Sequence, residues 1–182
     1  VTYCGVTAVS SMTTPAAYLD FAYRTALAAG EVTLPHFRVP ITVVDKGVGG
    51  YDPVTAADRD AEAVIRTEIA KAFPDHGIRG EEHGWEKRPS KYTWVIDPID
   101  GTRSFIMGQL HWATLIALND GNRPLVGVVH QPFVGESFAA VAGGTAGASS
   151  PAAARPPGRN TARAAISVVR PMSSGRARTA AR

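Results

Sequence analysis

Apolar residues recur along the first three-quarters of the chain with two different periods, and the periods assign the elements. From Pro15 to Ala29, the residues Leu19, Ala22, Tyr23, Ala26 and Leu27 fall on one face of a 3.6-residue repeat, which predicts an amphipathic helix. Arg38 to Asp45 alternates with a period of two and reads as a strand, followed by a flexible turn from Gly47 to Tyr51. A second helix is predicted from about Ala56 to Ala72, with Ala61, Val64, Ile65, Ile69 and Ala72 inward; it stops before Pro74, which lacks the N–H a helix needs. A short strand around Ile78 leads to Glu81. The polar, Lys/Arg-rich stretch 85–91 reads as a loop that closes over an anion or is simply solvated. Strands are predicted near 92–97, 112–118, 125–131 and 136–142, with turn residues Asn119-Asp-Gly-Asn122 between two of them. Helices followed by strands is an α+β pattern.

The pattern fades at the ends. Met12-Thr-Thr-Pro15 reads as a natural start, so residues 1–11 are expected to be a loose extension of a body spanning 12–144. From Thr145 onward Ala, Arg, Pro, Gly and Ser dominate, and Ala164 to Val169 is the one strand-like run. Such composition buries little surface, so 145–182 is expected to be a largely disordered tail or an incomplete second domain. Charge follows the same division. The last acid is Glu136, and the formal +3 separates into +7 from the tail's arginines and −4 from the body. The basic balance therefore says nothing about a site in the body. The tail arginines lack interleaved aromatics or a recognisable module, so no nucleic-acid partner is expected. No run approaches the ~20 apolar residues of a membrane span. The first fifteen residues have no secretory pattern, and the single cysteine, Cys4, excludes an internal disulfide. A cytoplasmic protein without a membrane partner is the expectation.

The chemistry concentrates in Trp94-Val-Ile-Asp97-Pro98-Ile99-Asp100-Gly101-Thr102. A buried strand ends there in two carboxylates three apart. Two acids at a strand end cannot both be buried without a cation, because an unpaired desolvated carboxylate costs several kcal/mol. Pro98 restricts both its own backbone and that of Asp97, so the turn that aims the acids is stiff. Hard oxygen ligands on a rigid turn suit Mg²⁺.

This string resembles the first metal-binding motif of the inositol monophosphatase family of Mg²⁺-dependent, lithium-sensitive phosphomonoesterases. Three further segments agree in order and spacing: Asp52-Pro-Val-Thr55-Ala-Ala-Asp58, Gly80-Glu81-Glu82, and Leu125-Val-Gly-Val-Val-His-Gln-Pro132. The resemblance covers roughly residues 15 to 143. Gly101-Thr-Arg-Ser-Phe-Ile106 and His111-Trp-Ala-Thr-Leu-Ile-Ala-Leu118 look most like the histidinol-phosphatase branch. The resemblance implies the layered αβαβα sandwich of the inositol monophosphatase and fructose-1,6-bisphosphatase type, here mainly its N-terminal half. It implies two or more Mg²⁺ ions, with Glu81, Asp97 and the Ile99 carbonyl on the first and Asp97 and Asp100 on the second. Two cations sharing a carboxylate stabilise both the attacking and leaving oxygens of a phosphoryl displacement. Glu81 and Thr102, with Asp58 in their hydrogen-bond network, would orient the attacking water. Gly101, Thr102 and Arg103 would meet the phosphate, the first two through free N–H groups at a helix start.

The activity implied is hydrolysis of a small phosphate ester, histidinol phosphate before inositol 1-phosphate, by a protein that is a homodimer in its full-length form. The family continues for about a hundred residues more, with a second metal motif of the form W-D-x-x-A that this sequence lacks. An inactive fragment from a truncated or frame-shifted gene is thus an alternative.

Several residues have plainer readings. Asp58, three after Thr55, is equally placed for a capping box. Glu82 reads as a solvated neighbour and Lys46 as a surface residue. His36, His76, His83, His111 and His130 lack zinc-ligand spacing. His130, in an apolar strand, reads as a core histidine, and His111 flanks the motif where substrate would come.

Overall fold

The computed structural model describes residues 14–47 and 51–149. The extension expected over 1–11 and the run Ala164 to Val169 lie outside the described residues. Helix α1 (Pro15–Thr33) opens on Thr14, whose hydroxyl accepts the Ala17 N–H at 3.2 Å, with Pro15 at the first helical position, where no N–H is needed. Its buried stripe is Tyr18, Phe21, Ala22, Thr25, Ala26 and Ala29, rotated from the expected face so that Leu27 is exposed. The helix runs a full turn beyond Ala29. Gly30 does not end it; a Cβ there would lie 3.0 Å from His130 Nε2, so glycine is what lets the helix press against the strand that carries His130.

The expected strand from Arg38 shortens to β1 (Val43–Asp45), which pairs antiparallel with an unexpected β2 (Pro53–Thr55). Arg38 has φ +61°, a left-handed conformation that breaks extended structure. Its guanidinium lies over the rings of Phe37 and Phe133, and Nε donates to the Gly108 carbonyl at 2.9 Å. Helix α2 (Ala56–Ala72) has the expected bounds and buries Ala61, Ile65 and Ile69.

The main sheet contains β3 (Gly77–Gly80), β4 (Trp85–Glu86), β5 (Thr93–Asp100), β6 (Ala113–Asn119), β7 (Pro124–Gln131), β8 (Glu136–Val141) and β9 (Gly147–Ser149), in the order β4-β3-β5-β6-β7-β8-β9. Only β3 and β5 run parallel; the other neighbours are antiparallel. A short helix α3 (Thr102–Ile106) follows β5 directly. β4 lies in the stretch expected to be a loop, and β9 carries the sheet past Thr145.

Cross-strand register explains the core. Trp94 sits opposite Leu118 and Ile96 opposite Ile116, and these continue to Val126 and Val128 on β7. With period two, all six point to the face covered by α1 and α2, where Phe21, Ile65, Ile69 and Phe73 meet them. At about 1.5–3 kcal/mol per fully buried apolar side chain, this layer is the dominant favourable term. The opposite face presents Val95, Leu115, Val129 and Phe138, all half-buried. A helix layer on a mixed sheet is the α+β pattern expected. No helix among the described residues is long and apolar enough to cross a membrane.

Two histidines sit inside this core. His76 Nδ1 accepts from Trp94 Nε1 at 3.2 Å, and His130, the core histidine expected, has Nδ1 2.8 Å from Ser137 Oγ. Burial holds both below the usual histidine range, since desolvation penalises the charged ring. Below about pH 6.5 the unfolded chain therefore binds more protons than the folded one, and the stability these rings contribute fades as pH falls. Protonated His76 would also lose its acceptor for Trp94. The prediction concerns the stability difference between wild type and His76→Gln, a comparison that cancels the unchanged carboxylates. That difference should be largest above pH 7 and shrink on acidification through pH 6 to 5; urea unfolding at several pH values measures it.

Candidate active site

The site begins with an irregularity in β5. Asp97 pairs with Leu115 and Asp100 with Ala113, so three steps along β5 match two along β6. The extra residue is a β-bulge. It falls at Pro98-Ile99, where Pro98 has no N–H to give a ladder, and the Pro98 carbonyl is taken instead by the Thr114 hydroxyl at 2.8 Å. In a regular strand, residues three apart face opposite ways; one inserted residue returns them to the same side. Asp97 and Asp100 are thereby aimed together. Ile99, between them, is anchored the other way: it is fully buried with Phe37, Ala57, Phe105 and Trp112 in a small cluster beneath the turn.

Gly101 then reverses the chain. Its φ of +94° is a left-handed conformation, and a Cβ would lie 2.5 Å from the His111 carbonyl oxygen. Gly101 caps α3, and its carbonyl accepts the Phe105 N–H at 3.1 Å. The Thr102 hydroxyl has two acceptors in reach, the Ile99 carbonyl at 3.1 Å and Asp58 Oδ1 at 3.2 Å. Asp58 Oδ2 meanwhile takes the Thr55 N–H at 2.8 Å and its hydroxyl at 2.5 Å. Both readings of Asp58 therefore hold at once: one oxygen caps α2 and the other reaches the site.

Glu81 follows β3, next to β5. Its carboxylate and that of Glu82 face Lys46 Nζ, at 3.6 and 2.7 Å. Two expectations need correcting here. The Glu82 side chain is almost wholly buried rather than solvated, and Lys46 is no bystander on the surface. Lys46, directly after β1, reaches both acids. Burial penalises its ammonium, yet the Glu82 hydrogen bond and the charges of Glu82, Glu81 and Asp52 outweigh this and hold Lys46 above its ordinary value. Arg103 is turned aside: its guanidinium donates to the Tyr51 carbonyl and lies over the Tyr51 ring at 5.3 Å. His111 is exposed at the site's edge.

The acids crowd one another. Asp97 is pushed up to about 9, first by burial and then by the negative charges of Glu81 and Asp100. Burial also raises Asp100, and it raises Glu82 despite Lys46. Asp97 Oδ1 is buried and has no hydrogen-bond partner among the described residues. An orphaned carboxylate oxygen beside two further acids is a donor set that fits a hard divalent cation, which would supply the missing charge. Asp97 would hold it, with Glu81, Asp100 and the Ile99 carbonyl flanking. Among the described residues no group of three or more His, Cys, Asp or Glu side chains is arranged as a complete metal-binding set, so water would have to complete the shell of any ion held here.

Residues 15–180 match the inositol monophosphatase family. The chain belongs to that family. The match runs past residue 143, where the motif likeness ends, and into the tail. Among relatives, the chain is 42% identical over 113 residues to the bifunctional phosphatase IMPL2 of Arabidopsis thaliana, covering 61% of this chain and 32% of that protein. It is 41% identical over 126 residues to a histidinol-phosphatase of Chlorobaculum parvum, covering 69% of this chain and 48% of the relative. The structure superposes on a Thermotoga maritima IMPase with a TM-score of 0.66 at 36% identity, over 72% of this chain and 50% of that one. The fold is thus of the inositol monophosphatase type, and the chain spans a third to a half of the length of these relatives.

Two further residues that sequence reasoning does not single out stand beside the site: Thr114 beneath the bulge, and Glu62, whose wholly buried carboxylate meets the loop that carries Glu81. Glu62 had a signal. Positions 58, 62, 65 and 69 share a helix face, and an acid among inward residues marks a buried polar role.

Three outcomes follow. Gly101→Ala combines a disfavoured φ with a backbone clash and should lower unfolding free energy by ~2 kcal/mol or more in urea titration. Asp97→Asn should weaken Mg²⁺ binding at least about tenfold in calorimetric titration. In the wild type that binding should release protons near pH 7, because the cation displaces the proton that Asp97 holds up to about 9.

Proposed function

We propose that this chain carries the metal- and phosphate-binding machinery of a Mg²⁺-dependent phosphomonoesterase whose substrate is histidinol phosphate. The observation that carries the reading is the bulge that aims Asp97 and Asp100 together, with a buried, unpartnered oxygen on Asp97. Divalent cations, when bound, polarise the phosphoryl group and make a water molecule more acidic. The chain's own residues do the rest. Glu81 accepts a proton from the attacking water, and the Thr102 hydroxyl, steered by Asp58, fixes the water's direction. Gly101, without a side chain, leaves room for the phosphate against the backbone at the start of α3. Lys46 offsets the negative charge of Glu81 and Glu82 and so lowers the cost of bringing an anion near them.

The substrate follows from likeness around Arg103 to Ile106 and His111 to Leu118, and the histidinol-phosphatase of Chlorobaculum parvum among the relatives supports it. Fold and metal chemistry are shared by phosphatases of other small esters, so specificity lies in residues around the leaving alcohol. In this reading, exposed His111, next to the motif, would meet the imidazole-bearing alcohol.

Phosphate release measured by a colorimetric assay, with and without Mg²⁺, tests the activity. The expected result is Mg²⁺-dependent release with kcat/KM highest for histidinol phosphate. A more than tenfold preference for inositol 1-phosphate reverses the substrate ordering. No Mg²⁺-dependent release from any small ester leaves the chain a non-catalytic fragment.

A further inference from the structure

Glu62 does work that the proposed chemistry does not use. It sits on α2 with its side chain wholly buried. Its Oε2 accepts the Glu82 N–H at 2.7 Å, and its Oε1 accepts the His83 N–H at 3.1 Å. Arg66, one helical turn on, donates Nε to the same Oε1 at 2.8 Å and Nη2 to the Gly84 carbonyl at 2.5 Å. The two side chains together grip residues 82 to 84, and the Gly80 N–H closes the loop on the Gly84 carbonyl at 2.9 Å. Gly80 is shaped for this contact: a Cβ there would lie 2.0 Å from Glu62 Oε1. Glu81 stands between the two fixed points, with its own side chain 42% exposed and without a bond to the clamp.

We infer that Glu62, oriented by Arg66, is a positioning residue for Glu81 and thereby tunes the affinity of the divalent-cation site. The inference rests on the reading of Glu81 as a metal ligand. A carboxylate on a free loop must lose backbone and side-chain freedom when it binds a cation; one whose flanking backbone is already fixed loses only its side-chain freedom. The charge of Glu62 is neutralised by Arg66 and by N–H dipoles aimed at it, so it holds the loop without competing for the cation. Glu82 is pinned at both ends, by Glu62 at its N–H and by Lys46 at its carboxylate, which fixes the loop's direction as well as its height.

The test is Mn²⁺ binding to the chain, followed by electron paramagnetic resonance, in wild type, Glu62→Gln and Arg66→Lys. It is run well below each variant's unfolding midpoint, with amide hydrogen exchange at Glu82 and His83 read in parallel. The expected result is at least a fivefold rise in the Mn²⁺ dissociation constant for Glu62→Gln and a smaller rise for Arg66→Lys, which keeps the charge but not the reach to Gly84. Faster exchange at the two amides should accompany both. A folded Glu62→Gln that loses thermal stability but binds Mn²⁺ within twofold of wild type overturns the inference and makes the clamp purely structural. If Glu62→Gln does not fold, unchanged affinity in Arg66→Lys with faster loop exchange overturns it equally. If wild type and Asp97→Asn bind Mn²⁺ alike, the metal reading itself is wrong, and the inference falls with it.

Discussion

The one-residue bulge in β5 is the constraint on which the site depends. Proline inside a sheet strand leaves a gap in the ladder, and here the gap is used. The Thr114 hydroxyl takes the free carbonyl of Pro98, Ile99 drives its side chain into the Phe37, Phe105 and Trp112 cluster, and Asp97 and Asp100 are left on one side. Apolar burial thus supplies the force that holds two mutually repelling acids together. The cost appears as electrostatics: Asp97 is raised to about 9 and keeps an oxygen without a partner. A cation would relieve such a cost, which is the physical basis for the proposal that the turn holds metal.

Everything else in the site attaches to α2 and its approaches. The helix starts at Thr55, and the Asp58 carboxylate that caps it extends to Thr102 on α3. One turn further, Glu62 and Arg66 hold the loop after β3. A single helix therefore registers the Glu81 loop against the start of α3, the two parts that would meet metal and phosphate in the proposed reading. The inward stripe of Ala61, Ile65 and Ile69, packed on Trp94 and Ile78, locks that helix to the sheet. Core packing and site geometry are one structure here.

Much of this was legible in the sequence where period and punctuation agree. Helix α2 has the bounds expected because Thr55, Asp58 and Pro74 mark both ends chemically. The four long strands were found because apolar runs alternate with turn residues. The string from Trp94 to Thr102 stands out as a unit because a strand, two acids, a proline and Gly-Thr follow one another in it. What escaped depends on long-range contact. Arg38 leaves the strand conformation because Phe133 and Gly108, 95 and 70 residues on in sequence, receive its side chain. Lys46 and Glu82 each look solvent-facing in isolation, because the pairing that buries them spans 36 residues. The bulge was implicit in Pro98 but needed the β6 register to become visible.

The central claim is that Asp97 and Asp100 are aimed together to hold a divalent cation. A crystal of the protein grown with Mn²⁺ and measured at the manganese absorption edge tests it most directly. The account predicts an anomalous peak within ~2.5 Å of an Asp97 carboxylate oxygen, with Asp100 or Glu81 as a further ligand. Well-ordered Asp97 and Asp100 side chains with no manganese between or beside them, at saturating metal, would contradict it.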